Sequence, residues 1–142
     1  MNIMFKVINI MLIEDDNLDR IEVMRTLERK NIVHHLKIAK NGEEAIQILQ
    51  DGGNDVFMGK PDIILLDLNM PKMNGFEFLR KVRENDDWKD IKIFILTTSD
   101  DQEDKARVAD LGISGFITKP LKLENPSSID AFNLMIDLMN MS

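Results

Sequence analysis

Apolar and polar positions along the chain keep two different rhythms. Short runs rich in branched residues recur at Ile8 to Ile13, Ile63 to Leu66, Ile91 to Leu96 and Gly115 to Thr118, with a weaker one near His35 to Ala39. Between them lie longer stretches of helical period. Such alternation predicts a parallel sheet wrapped by helices. Ile63-Ile64-Leu65-Leu66 is apolar at every position, so both faces of that strand should be covered, as in the middle of a parallel sheet.

A helix is expected from about Asn17, capped by Asp16, with Leu18, Ile21, Met24 and Leu27 on one apolar face. Asn41-Gly42 reads as a turn before a short helix, Glu43 to Gln50, carrying Ala45, Ile46 and Leu49. Asp51 to Gly59 is the most loop-like stretch. A third helix, after Pro71 and Gly75, carries Phe76, Leu79 and Val82; a fourth runs from about Asp101 to Leu111 and stops at Gly112, a residue suited to a left-handed cap. A last helix, from about Ser127 to Met139, is expected to turn Ile129, Phe132, Met135, Ile136 and Met139 inward. From these elements we expect residues 1–142 to be a single domain with a core over about residues 7–140 and no output domain.

Composition narrows the function. The formal net charge is -7, and no cluster of Lys and Arg offers a grip on backbone phosphates, so nucleic acid is not an expected partner. There is no Cys, which fits a reducing compartment. No apolar run reaches the roughly 20 residues that span a bilayer, and no cleavage site follows the N-terminal apolar stretch. The expectation is a soluble, cytoplasmic protein. His34 and His35 are adjacent on a strand and would point to opposite faces, which argues against a shared metal.

The chemistry gathers just past the predicted strands. Glu14 and Asp15 follow the first, Asp67 the third, Thr97 the fourth and Lys119 the fifth. In an open parallel sheet that edge is where ligands bind. Carboxylates held together repel, and a bound cation is one remedy. Magnesium suits a site of one or two carboxylates plus a phosphate. A carboxylate there can act as nucleophile toward phosphorus, with a Lys offsetting charge on the transferred oxygens and a hydroxyl donating a hydrogen bond. Each residue alone has an ordinary explanation as a helix cap, a turn residue or a solvated charge; the combination is what points to phosphoryl chemistry.

Leu65-Leu66-Asp67-Leu68-Asn69-Met70-Pro71 with Asn74-Gly75 resembles the phosphoacceptor segment of response-regulator receiver domains, and Ile13-Glu14-Asp15-Asp16 resembles their acidic motif. The 30 residues from Asp67 to Thr97 and the 22 from Thr97 to Lys119 are similar to the spacing in the chemotaxis response regulator. The likeness spans the chain. Leu96-Thr97-Thr98-Ser99 and a longer loop before the third strand resemble the small regulators that serve phytochrome-type kinases.

This resemblance implies a flavodoxin-like (βα)5 doubly wound α/β fold with strand order 2-1-3-4-5. It implies Asp67 as phosphoacceptor, with Thr97 and Lys119 contacting the phosphoryl group. Mg2+ would be held by Glu14, Asp15, Asp67 and the main-chain carbonyl of Asn69, with Asp15-Asp16 as the alternative acidic pair. Asn69 and Ser99 would tune the phosphate's lifetime. Thr97 and Phe116 would form the switch, and Phe116, having no hydroxyl, would signal by packing. The bond between Lys119 and Pro120 would be cis. The implied partners are a sensor histidine kinase or histidine phosphotransfer protein, a downstream protein target, and a possible second copy through helix 4, strand 5 and helix 5. The protein would catalyse only its own phosphorylation and dephosphorylation. A haloacid-dehalogenase-type phosphatase is the rival enzyme, but it wants a second Asp two residues after the nucleophile, where this chain has Asn69. A pseudo-receiver that only binds is the third possibility, disfavoured by the complete residue set.

Overall fold

The structure is a computed structural model that describes residues 7–29, 34–51, 60–68, 75–98 and 102–119. Its elements in order are β1 (Ile8–Ile13), α1 (Asn17–Arg29), β2 (His34–Ala39), α2 (Gly42–Asp51), β3 (Ile63–Asp67), α3 (Gly75–Glu84), β4 (Lys92–Thr98), α4 (Gln102–Ala109) and β5 (Gly115–Lys119). The strands form one sheet, order β2-β1-β3-β4-β5, and every pairing is parallel. The chain therefore doubles back beside β1, and the ends of β1 and β3 become neighbours at the switch point. The last predicted helix and the Lys119-Pro120 bond lie outside the described residues.

Strand side chains alternate between two faces, and the alternation splits the core in two. Met11, Ile13, Ile64, Leu66, Ile93 and Ile95 face one layer with Ala45 and Leu49 of α2, Phe78, Leu79 and Val82 of α3, and Val108 of α4. Ile10, Leu12, Ile63, Leu65, Phe94, Leu96 and Ile117 face the other with Val23 and Leu27 of α1. All four residues from Ile63 to Leu66 are 0% exposed, as their uninterrupted apolar run predicts. Burying each such side chain stabilises the fold by roughly 1.5–3 kcal/mol.

The helix starts follow local chemistry. The Asp16 Oδ1 accepts the N–H of Asp19 at 3.0 Å and caps α1. Asn41 is a cap and not the first residue of a turn: its Oδ1 accepts the N–H of Glu44 at 2.9 Å, so α2 already begins at Gly42. Gly112 ends the α4 region with φ at 74°. Arg83 ties this region together, donating to the carbonyls of Ile91 before β4 and of Leu111 and Gly112 after α4.

The predicted apolar face of α1 is corrected. Leu27 is buried, but Leu18, Ile21 and Met24 are exposed, and the inward residues are Val23, Thr26 and Leu27. A helix turns roughly 100° per residue, so a strict spacing of three walks around the cylinder and sets Leu18 half a turn away from Leu27. Thr26 is tolerated inside because its hydroxyl donates to the carbonyl of Glu22 at 2.8 Å.

Candidate functional site

Each functional side chain is delivered by the end of a strand. β1 runs out at Ile13, and the N–H of Glu14 donates to the carbonyl of Ala39, so the sheet pairing carries Glu14 inward before α1 begins. Asp67 is the last residue of β3, paired with Leu96 of β4. Thr97 and Lys119 sit near the ends of β4 and β5, where Thr97 pairs with Thr118 and Thr98 with Lys119. Glu14, Asp67 and Thr97 are buried, and for the carboxyl groups of Glu14 and Asp67 this is uncommon without compensation.

Carboxylate oxygens of Glu14, Asp15 and Asp67 lie within 4.8 Å of one another. Asp16, the alternative member of the acidic pair, is engaged instead as the α1 cap. Lys119 stands beside the three. Its ammonium donates to Glu14 Oε1 at 2.8 Å and to Asp19 Oδ2 at 3.0 Å, and its Nζ is 3.6 Å from Asp67 Oδ2. Burial pushes the Glu14 carboxyl up to about 10, and hydrogen bonding with Asp67 and Asp19 adds to this against the pull of Lys119. Burial alone would lower the Lys119 ammonium, but Glu14, Asp67 and Asp19 more than reverse it and hold it charged.

These donors suit a hard divalent cation. They are all oxygen, and the Glu14 Oε2 is buried with no hydrogen-bond partner. The cluster can thus hold a divalent metal at the rim of the sheet. Asn69 and Ser99 lie outside the described residues. Phe116 is half-buried on β5, packed against the layer that includes α4, with the Lys105 ammonium of α4 5.6 Å from its ring centroid.

Two features escaped sequence reasoning. Asp19 contacts Lys119, yet an acidic residue in a first helical turn is ordinary, so nothing in its local sequence marked it. Gly75 appeared only as part of a motif, and its physical role is close approach: a Cβ there would lie 2.9 Å from the Asp67 carbonyl oxygen and 2.7 Å from the Leu68 Cα. The N–H of Gly75 also donates to the Leu68 carbonyl at 3.1 Å, which seats the start of α3 directly behind Asp67. Among the described residues, no helix is long and apolar enough to cross a membrane.

Comparison with known proteins agrees with this geometry. The family model of the response regulator receiver domain matches residues 10–127. The response regulator Rcp1 of Synechocystis sp. is 35% identical over 116 residues, 82% of this chain and 79% of Rcp1. Among solved structures, the bacteriophytochrome response regulator RtBRR superposes with a TM-score of 0.77 at 29% identity, covering 90% of this chain and 77% of that one. The Mn(2+)-bound form of Rcp1 superposes with a TM-score of 0.70 at 32% identity, covering 92% and 90%. The phosphorylated cyanobacterial phytochrome response regulator RcpA gives 0.73 at 28% identity, covering 94% and 91%.

Proposed function

The chain belongs to the response regulator receiver family of two-component signalling, and from that premise we propose that Asp67 accepts a phosphoryl group from a histidine kinase or histidine phosphotransfer protein. The observation that carries the reading is the convergence of Glu14, Asp15 and Asp67 within 4.8 Å, with the Lys119 ammonium 3.6 Å from Asp67. In the transfer, a carboxylate oxygen of Asp67 attacks phosphorus and forms a P–O bond, while the P–N bond to the donor imidazole breaks and the imidazole keeps the electron pair and takes a proton. Water later cleaves the acyl phosphate and restores the carboxylate with release of inorganic phosphate.

Lys119 offsets charge on the transferred oxygens, and the Thr97 hydroxyl donates a hydrogen bond to them. Magnesium, held by Glu14, Asp15, Asp67 and the main-chain carbonyl of Asn69, would supply the remaining charge neutralisation. Two solved relatives support phosphorylation and a divalent metal in such a site: RcpA is known in a phosphorylated state and Rcp1 with Mn(2+). The reaction is self-directed, so the chain catalyses its own phosphorylation and dephosphorylation and no turnover of a separate substrate.

The signal leaves through packing. Drawing the Thr97 hydroxyl toward the phosphoryl group vacates space into which Phe116 moves, and the surface of α4 and β5 then changes its fit to a downstream protein or a second copy. We read residues 1–142 as one receiver working in the cytoplasm, a setting that the lack of Cys fits.

Intact mass after incubation with acetyl phosphate and magnesium tests this. The wild type should gain one phosphate and Asp67→Asn none. Equal labelling of the two proteins rejects Asp67 as the acceptor, and sustained hydrolysis of a generic phosphomonoester would favour a phosphatase instead.

A further inference from the structure

The Lys119 ammonium has three N–H donors, and three carboxylates surround it at unequal distances. Glu14 and Asp19 are at hydrogen-bonding length, 2.8 and 3.0 Å, whereas Asp67 is at 3.6 Å. The cation is thus committed to the β1–α1 side of the site and only electrostatically coupled to the acceptor. Of its two close partners, Glu14 belongs to the oxygen cluster suited to a divalent ion, and Asp19 is not part of that cluster. Asp19 is therefore the close partner of the ammonium that lies outside the metal-suited cluster.

Asp19 is well placed to hold. It occupies the first turn of α1, and its N–H is fixed by the Asp16 side chain at 3.0 Å. We propose that Asp19 is a positioning residue for phosphoryl transfer, drawing the Lys119 ammonium toward α1 so that a phosphoryl group on Asp67 must compete for it. The proposal rests on Asp67 being the acceptor. Asp19 then sets how readily the site is labelled and how strongly it grips the phosphoryl oxygens. The plain alternative, an acidic residue favouring a helix N-terminus, accounts for its position in α1 but not for a contact with a residue 100 positions away. The Asp19 side chain is 30% exposed, so its hold is partly screened and its effect modest.

A double-mutant cycle separates the two. Labelling rate with acetyl phosphate and magnesium, and affinity for beryllofluoride as a phosphoryl mimic, would be measured in wild type, Asp19→Asn, Lys119→Met and the double variant. Asp19→Asn is expected to label about threefold faster and to bind beryllofluoride correspondingly tighter, with no such gain in the Lys119→Met background. Asp19→Glu, which keeps the charge, is expected to stay within about twofold of wild type. Unchanged or slower labelling of Asp19→Asn, or the same ratio in both backgrounds, overturns the proposal while leaving Asp67 as acceptor. A wild type that takes up no phosphate at all removes the acceptor reading, and Asp19's role with it.

Discussion

Leu66 and Asp67 are consecutive residues of β3, and both are buried, yet they do opposite work. Leu66 lies in an apolar layer with Met11, Ile13, Ile64 and Ile95, where every neighbour is satisfied by contact. Asp67 lies among Glu14, Asp15 and Lys119, where each buried charge depends on the next. Strand bodies hold the fold together by removing hydrocarbon from water; strand ends store electrostatic demand that a cation and a phosphoryl group can satisfy. The boundary between the two regimes is one residue wide, and it is kept narrow by α3, whose Gly75 packs against the backbone of Asp67 and Leu68.

The sharpest break of that contrast comes from inside the sheet. Leu65→Ala should lower stability by about 2–5 kcal/mol, read from the urea midpoint, because a fully buried side chain is lost from a layer with little room to collapse. The fraction that stays folded should still take phosphate on Asp67. A variant of native stability, or a folded variant that cannot be labelled, would show that the two regions are not separable in this way.

Gly75→Ala probes the boundary itself. The new methyl group meets backbone at 2.7 and 2.9 Å and not the yielding end of a side chain, so about 1–3 kcal/mol of stability should be lost, with slower labelling as β3's end is displaced. Unaltered denaturation and labelling would mean that α3 approaches Asp67 less closely than the geometry gives.

The gentlest test lies within the rim. With its carboxyl raised to about 10 from 4.5, Glu14 keeps in the folded state a proton that the unfolded chain releases above pH 4.5. The unfolded state therefore binds fewer protons across that window, and metal-free wild type should lose stability relative to Glu14→Gln as pH rises from about 5 to 9, by at most about 1.4 kcal/mol per pH unit. Lys119 at 2.8 Å favours the ionised form and already holds that value down against burial. Magnesium, which favours the ionised form too, should flatten the slope. Parallel pH curves for the two proteins, measured by thermal unfolding, would remove Glu14 as the source of the strain.

What the chain could declare by itself was local. Runs such as Ile63 to Leu66 carry their strand character in every residue, and a strand that ends in Asp67 announces where its chemistry must sit once the sheet is parallel. Sheet order was legible through the motif pattern, and so was the gathering of Glu14, Asp15, Asp67 and Lys119 on one rim. The inward face of α1 was not. Leu18, Ile21 and Met24 satisfy a naive apolar spacing, but which side of a helix meets the sheet is decided by packing, and Val23 and Leu27 took that side. Asp19 was equally hidden, because an acidic side chain in a first turn looks the same whether it faces water or a Lys 100 residues further on. Local pattern determines the elements through the backbone's own periodicities. Only tertiary structure decides which charged groups share a cation, because that depends on distances between segments that the linear order does not encode.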